Sequence, residues 1–153
     1  MEYDSIISQV DRWFAQSSTK MMYITARDVD DALAEQDALE RKQRRPIRIW
    51  EVLLLLRRLN VEQVDHILET LGKGGGPNDG SQEFTMLGRV LVEVGYASQE
   101  DVVQALQTQL AEREQGQWRM LGQILIENRV ILKTHLQEAL DVLEVRRKTR
   151  TDQ

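Results

Sequence analysis

Apolar residues recur three and four apart through most of this chain, and two stretches repeat them in the same order. MLGRVLVEVGYASQEDVVQALQTQ (86–109) and MLGQILIENRVILKTHLQEALDVL (120–143) align without a gap. The alignment pairs Met86 with Met120, Leu87 with Leu121, Gly88 with Gly122, Leu91 with Leu125, Val102 with Leu136, Ala105 with Ala139 and Leu106 with Leu140. Each copy predicts a short apolar helix, a break, and a second, amphipathic helix starting at Ser98 or Leu132. One such helix pair cannot bury its own apolar face, so neighbouring pairs must stack.

The same order continues backwards in weaker form. In RIWEVLLLLRRLNVEQVDHILETL, Arg48, Trp50, Leu53, Leu59, Val64, Ile67 and Leu68 take the places of Met86, Gly88, Leu91, Ala97, Val102, Ala105 and Leu106, and Asn60 caps the second helix. In YITARDVDDALAEQ, Ile24, Val29, Ala32, Leu33 and Gln36 match Ala97, Val102, Ala105, Leu106 and Gln109, with Thr25 as the cap. Ile6, Ile7, Val10, Trp13 and Phe14 supply the preceding amphipathic helix. The expected fold is all-α: four degenerate helix-pair units, arranged as two pairs.

LGKGGGPNDGSQ concentrates residues that end helices and populate turns, and it separates the four units two and two. The expected organisation is an N-terminal pair at 1–71, a Gly-rich linker at 72–83, a C-terminal pair at 84–145 and a basic tail at 146–153. Lys73 within the glycines does not make a phosphate loop, because Gly74 follows it where Ser or Thr is needed and no strand precedes it.

The 153 residues suffice for one domain or two small ones. A net charge of −5 gives no general attraction to nucleic acid. Arg41, Lys42, Arg44 and Arg45, and again Arg146, Arg147, Lys148 and Arg150, run against that average. They read as a solvated linker and a helix end, or as contacts for an acidic partner or anionic lipid. The chain has no cysteine, which excludes disulfides and thiolate metal sites. No apolar run approaches the roughly 20 residues that span a bilayer. MEYDSIISQVDRW carries acids where a secretory signal carries bases, so a cytoplasmic address is expected.

Reaction chemistry is hard to place, and no catalytic or metal-ligating residue is assigned. His66 and His135 are each read in the middle of a second helix, without a ligand at zinc spacing. No serine sits in a nucleophile-elbow sequence. Asp28, Asp30 and Asp31 follow Thr25, where carboxylates favour a helix start. Met21, Met22, Met86 and Met120 read as core or groove lining. A glycine inside a helix costs about 1 kcal/mol relative to alanine, so the recurrence at Gly88 and Gly122 implies a close approach by a neighbouring helix or a ligand. Gly95 stands where the first helix must reverse, a place suited to positive φ. Arg129 occupies that place in the next copy, so the second turn is not required to match the first.

At these residues the chain resembles the N-terminal domain of type II secretion and type IV pilus assembly ATPases, including the MshEN subset that binds cyclic di-GMP. That family's motif runs Arg-Leu-Gly, two residues, two aliphatics, two residues, Gly, two aliphatics, then a helix with Leu, Ala-Leu and a closing Gln. The first copy matches at Leu87, Gly88, Leu91, Val92, Gly95, Val102, Ala105, Leu106 and Gln109. The second matches at Leu121, Gly122, Leu125, Ile126, Ile131, Leu136, Ala139 and Leu140 and departs at Arg129 and Leu143. Met86 and Met120 replace the leading Arg, ten residues (Leu110 to Arg119) separate the copies, and no ATPase segment is present.

The resemblance implies two readings. In one, a non-catalytic adaptor binds a protein partner through grooves between helices, with Trp50 or Trp118 as anchors, in a bacterial secretion, pilus, motility or signalling system. In the other, a sensor binds cyclic di-GMP through Leu87, Gly88, Arg89, Gly95, Gln109, Arg119, Leu121 and Gly122. The loss of a charge-assisted Arg contact, worth about 1.5–3 kcal/mol, favours the adaptor.

Overall fold

Among the described residues four helix pairs follow one another: α1 (Glu2–Lys20) with α2 (Ala26–Gln43), α3 (Ile49–Leu55) with α4 (Val61–Glu69), α5 (Ser81–Glu93) with α6 (Gln99–Glu114), and α7 (Leu121–Glu127) with α8 (Lys133–Thr151). The computed structural model describes residues 2–43, 47–70, 81–117 and 119–151, and no strand occurs among them. The chain is all-α. The glycines at 72–80, Arg44, Arg45, Pro46 and Trp118 lie outside the described residues. α5 begins at Ser81, inside the span expected as linker, and α8 continues to Thr151 through most of the expected tail. No helix among the described residues is long and apolar enough to cross a membrane.

One turn joins the helices of all four pairs. Its left-handed residue is Met22 (φ 63°), Arg57 (58°), Gly95 (84°) or Arg129 (61°). The N–H of that residue donates three back, to the carbonyls of Thr19, Leu54, Val92 and Ile126 at 3.0–3.1 Å. The next N–H reaches five back, from Tyr23 to Ser18, Arg58 to Leu53, Tyr96 to Leu91 and Val130 to Leu125, at 2.9–3.0 Å. This double bond pattern satisfies the orphan carbonyls of the first helix. Sequence reading left the Arg129 turn free to differ, yet it matches the Gly95 turn, because the left-handed region costs a non-glycine residue only about 1–2 kcal/mol.

A buried aliphatic follows each turn, Ile24, Leu59, Ala97 or Ile131, and then the cap of the second helix. Thr25 pairs with Asp28, Asn60 with Gln63 and Ser98 with Asp101, each donating and accepting in a reciprocal box. The fourth box is half made. Leu132 donates its backbone N–H to His135 Nδ1 at 3.1 Å, but a leucine side chain cannot accept in return. His135 thus sits in the first turn of α8, not mid-helix as expected, with its ring stacked on Tyr96 at 4.2 Å. Leu132→Ser completes the box and is expected to raise stability by about 1 kcal/mol, read as a higher urea midpoint.

The chain divides into two compact units, Met1–Gln82 and Glu83–Gln153. In the first, α3 packs on α1 and α2, and α4 packs on α1. α3 is buried on every side from Ile49 to Leu54, Glu51 included. In the second, α6 packs on α7, over a core of Val90, Leu91, Val102, Leu106, Ile124 and Leu125. Met22 and Met120, expected as core or groove lining, are exposed: Met22 occupies the left-handed turn position and Met120 the N-cap of α7.

Candidate functional site at the helix-pair junctions

In the second unit the structure gathers four of the eight candidate residues at the α6–α7 junction. Gln109 is 2% exposed, and its amide Nε2 donates to the backbone carbonyl of Arg119 at 2.9 Å. The Arg119 guanidinium lies along Glu112, with Nε 2.9 and 3.0 Å from the two carboxylate oxygens, and also pairs with Glu127 of α7. That guanidinium holds the Glu112 carboxyl below the usual carboxylate range. Leu121 is buried. Gly122 lies against Leu136 of α8, whose Cδ atoms would stand 2.7 and 2.8 Å from a Cβ placed there. The close approach inferred from the glycine is therefore a neighbouring helix.

The other four belong to α5 and its turn. Leu87 and Gly88 are buried, and Gly95 is exposed with nothing near its absent Cβ. Arg89 Nε donates to Glu93 on its own helix at 2.8 Å, and Glu93 also accepts from Arg146 of α8 at 2.6 Å. Burial raises the Glu93 carboxyl, but the bonds from Arg146 and Arg89 outweigh it and hold the group low. Neither of the candidate arginines, Arg89 or Arg119, stands apart from a carboxylate.

The first unit repeats the junction with an added polar cluster. Gln36, aligned with Gln109, donates Nε2 to the carbonyl of Ile47 at 2.7 Å, just as Gln109 does to Arg119. In both units, then, the closing glutamine fixes the chain immediately before the next helix. Gln36 also donates to Asp11 of α1 at 2.7 Å. The same carboxylate accepts from Ile49 N at 3.3 Å and faces Arg48 Nη2 at 2.9 Å. Arg48 is 1% exposed, and its guanidinium lies 4.6 Å over the Trp50 ring, which meets Phe14 at 5.2 Å. Trp50 is consequently core and not a surface anchor.

Sequence reading missed this cluster. Its one visible signal was Asp11 interrupting the buried face formed by Val10 and Phe14, a charge placed where helical spacing calls for an apolar residue. Glu40, half-buried nearby, is raised chiefly by desolvation. At the α5–α6 turn, Tyr96 donates its hydroxyl to Glu138, which raises the phenol. Among the described residues, no three His, Asp or Glu side chains gather in a metal-binding arrangement. Compared with family models, curated proteins and solved structures, the chain matches none.

Proposed function

We propose that this protein is a non-catalytic adaptor that binds a protein partner through surfaces of its helix pairs, in a bacterial secretion, pilus, motility or signalling system. The biological setting rests on the resemblance to the MshEN-type domain. The observation that carries the adaptor reading is the occupation of the motif's polar side chains. Gln109 holds the Arg119 carbonyl, Arg119 is shared by Glu112 and Glu127, and Gly122 is filled by Leu136. A cyclic dinucleotide seated there would have to break a charge-assisted pair and displace a packed leucine. Exposed Val94 and Met120 leave apolar surface for a protein instead.

Calorimetric titration of the full chain with cyclic di-GMP is expected to give no heat of binding. Dissociation at about 1 μM or tighter, weakened by Arg119→Ala, would replace the adaptor with the sensor. Photo-crosslinkers at Val94 and Met120 are expected to capture one and the same protein in cells.

A further inference from the structure

In all four second helices the residue three past the cap offers a side-chain acceptor to the cap's backbone N–H. Asp28 does so for Thr25 at 2.9 Å, Gln63 for Asn60 at 3.0 Å, Asp101 for Ser98 at 3.0 Å and His135 for Leu132 at 3.1 Å. The four acceptors differ in one respect. A carboxyl or carboxamide keeps an acceptor oxygen whether or not it binds a proton, whereas imidazole accepts only while one ring nitrogen is bare. Imidazole is also the side chain that characteristically changes charge between about pH 5 and pH 8. The imidazolium carries a donor on both nitrogens, so no orientation of the ring can accept the Leu132 N–H. In the other three pairs Thr25, Asn60 and Ser98 accept a second bond in return, which a leucine side chain at the cap cannot supply.

The His135 ring stacks on Tyr96 of the α5–α6 turn, whose hydroxyl donates to Glu138 on the next turn of α8. Arg129, in the turn before α8, and Lys133, in its first turn, are exposed cations. The Glu138 carboxylate favours an imidazolium, while the two cations and the positive end of the helix dipole oppose it. Neither influence restores the lost acceptor. We propose that His135 is a proton-sensitive cap, whose bare Nδ1 holds the start of α8 while the ring is neutral and releases it when the ring takes up a proton. The cap's contribution is therefore present at the alkaline end of the imidazole range and lost as the pH falls. The same stretch of α8 carries Leu136 against Gly122 and the stack on Tyr96, so the release acts where α8 meets α7 and the α5–α6 turn. The inference goes beyond the adaptor reading and does not depend on it.

Nuclear magnetic resonance of the full chain, titrated from about pH 8 to about pH 5, reads the cap at two places. At the alkaline end the ring-nitrogen shifts of His135 are expected to show the proton on Nε2 and Nδ1 bare. Protection of the Leu132 amide from solvent exchange, corrected for the intrinsic dependence of exchange on pH, is expected to fall about fivefold on acidification, the worth of one ordinary hydrogen bond. His135→Asp installs the acceptor that Asp28 and Asp101 provide, so protection is expected to persist across the whole range. His66→Gln removes the chain's other histidine and is expected to leave the response unchanged. A neutral ring with its proton on Nδ1 overturns the proposal. So does Leu132 protection that ignores pH in the wild type, still falls in His135→Asp, or loses its pH response in His66→Gln.

Discussion

Asp11→Ala is expected to cost unit 1 about 3–5 kcal/mol, seen as a large fall in the urea midpoint of the N-terminal half. The carboxylate is buried on α1 and receives three donors at once: Arg48 Nη2, Gln36 Nε2 and the backbone N–H of Ile49. Removing it takes from the nearly water-free Arg48 guanidinium a carboxylate that offsets its desolvation, and such truncations cost far more than the pair contributes net. The loss would take up much of the roughly 5–15 kcal/mol that holds a domain folded. Two controls make the cause explicit. Asp11→Asn keeps the shape and one acceptor, so it should lose less. Asp11→Leu combined with Arg48→Met replaces the pair with apolar side chains of similar bulk and should recover most of the loss. Tryptophan fluorescence is a suitable probe, because Trp50 lies under that guanidinium and against Phe14. A change of less than about 1 kcal/mol in the single variant would show that Arg48 is not held by Asp11.

The second large effect is expected from Leu91→Arg. Leu91 has no exposed surface, and its carbonyl accepts the Tyr96 N–H that closes the α5–α6 turn at 3.0 Å. An arginine there buries a charge in the apolar core of unit 2 and is expected to remove about 4 kcal/mol or more, lowering helical circular dichroism. Leu140→Arg is the informative partner. Leu140 belongs to the same duplicated pattern but is 42% exposed, so the change is expected to stay within about 0.5 kcal/mol. Equal losses in the two variants would contradict the burial of Leu91 and the exposure of Leu140.

The pairing of Leu91 with Leu125 and of Leu106 with Leu140 shows how far pattern alone reaches. Periodicity marked all four as apolar helix positions, and all four lie in helices. Only Leu140 stands open, and nothing in its own neighbourhood of sequence says so. Whether a neighbouring helix covers it depends on helix lengths and packing across the whole unit. The glycines behave similarly. Gly95 announced a left-handed turn correctly, whereas Gly122 left helix and ligand equally open until Leu136 was found against it. For the candidate ligand residues, type and spacing were legible, but what each side chain holds was not. Gln109 and Arg119 are ten residues apart and adopt their roles only once α6 and α7 meet.

The sequence by itself determined the features written within a few residues: four helix pairs, their caps at Thr25, Asn60 and Ser98, and the buried aliphatic after each turn. These follow from hydrogen bonds and side-chain spacing along one stretch of backbone, so local residue types suffice. The tertiary structure decided the rest: the burial of Arg48 against Asp11, the use of Gln36 and Gln109 to fix the following chain, and the exposure of Leu33 and Leu140. Those outcomes join residues far apart in sequence, and desolvation and packing choose among partners that local pattern leaves equivalent.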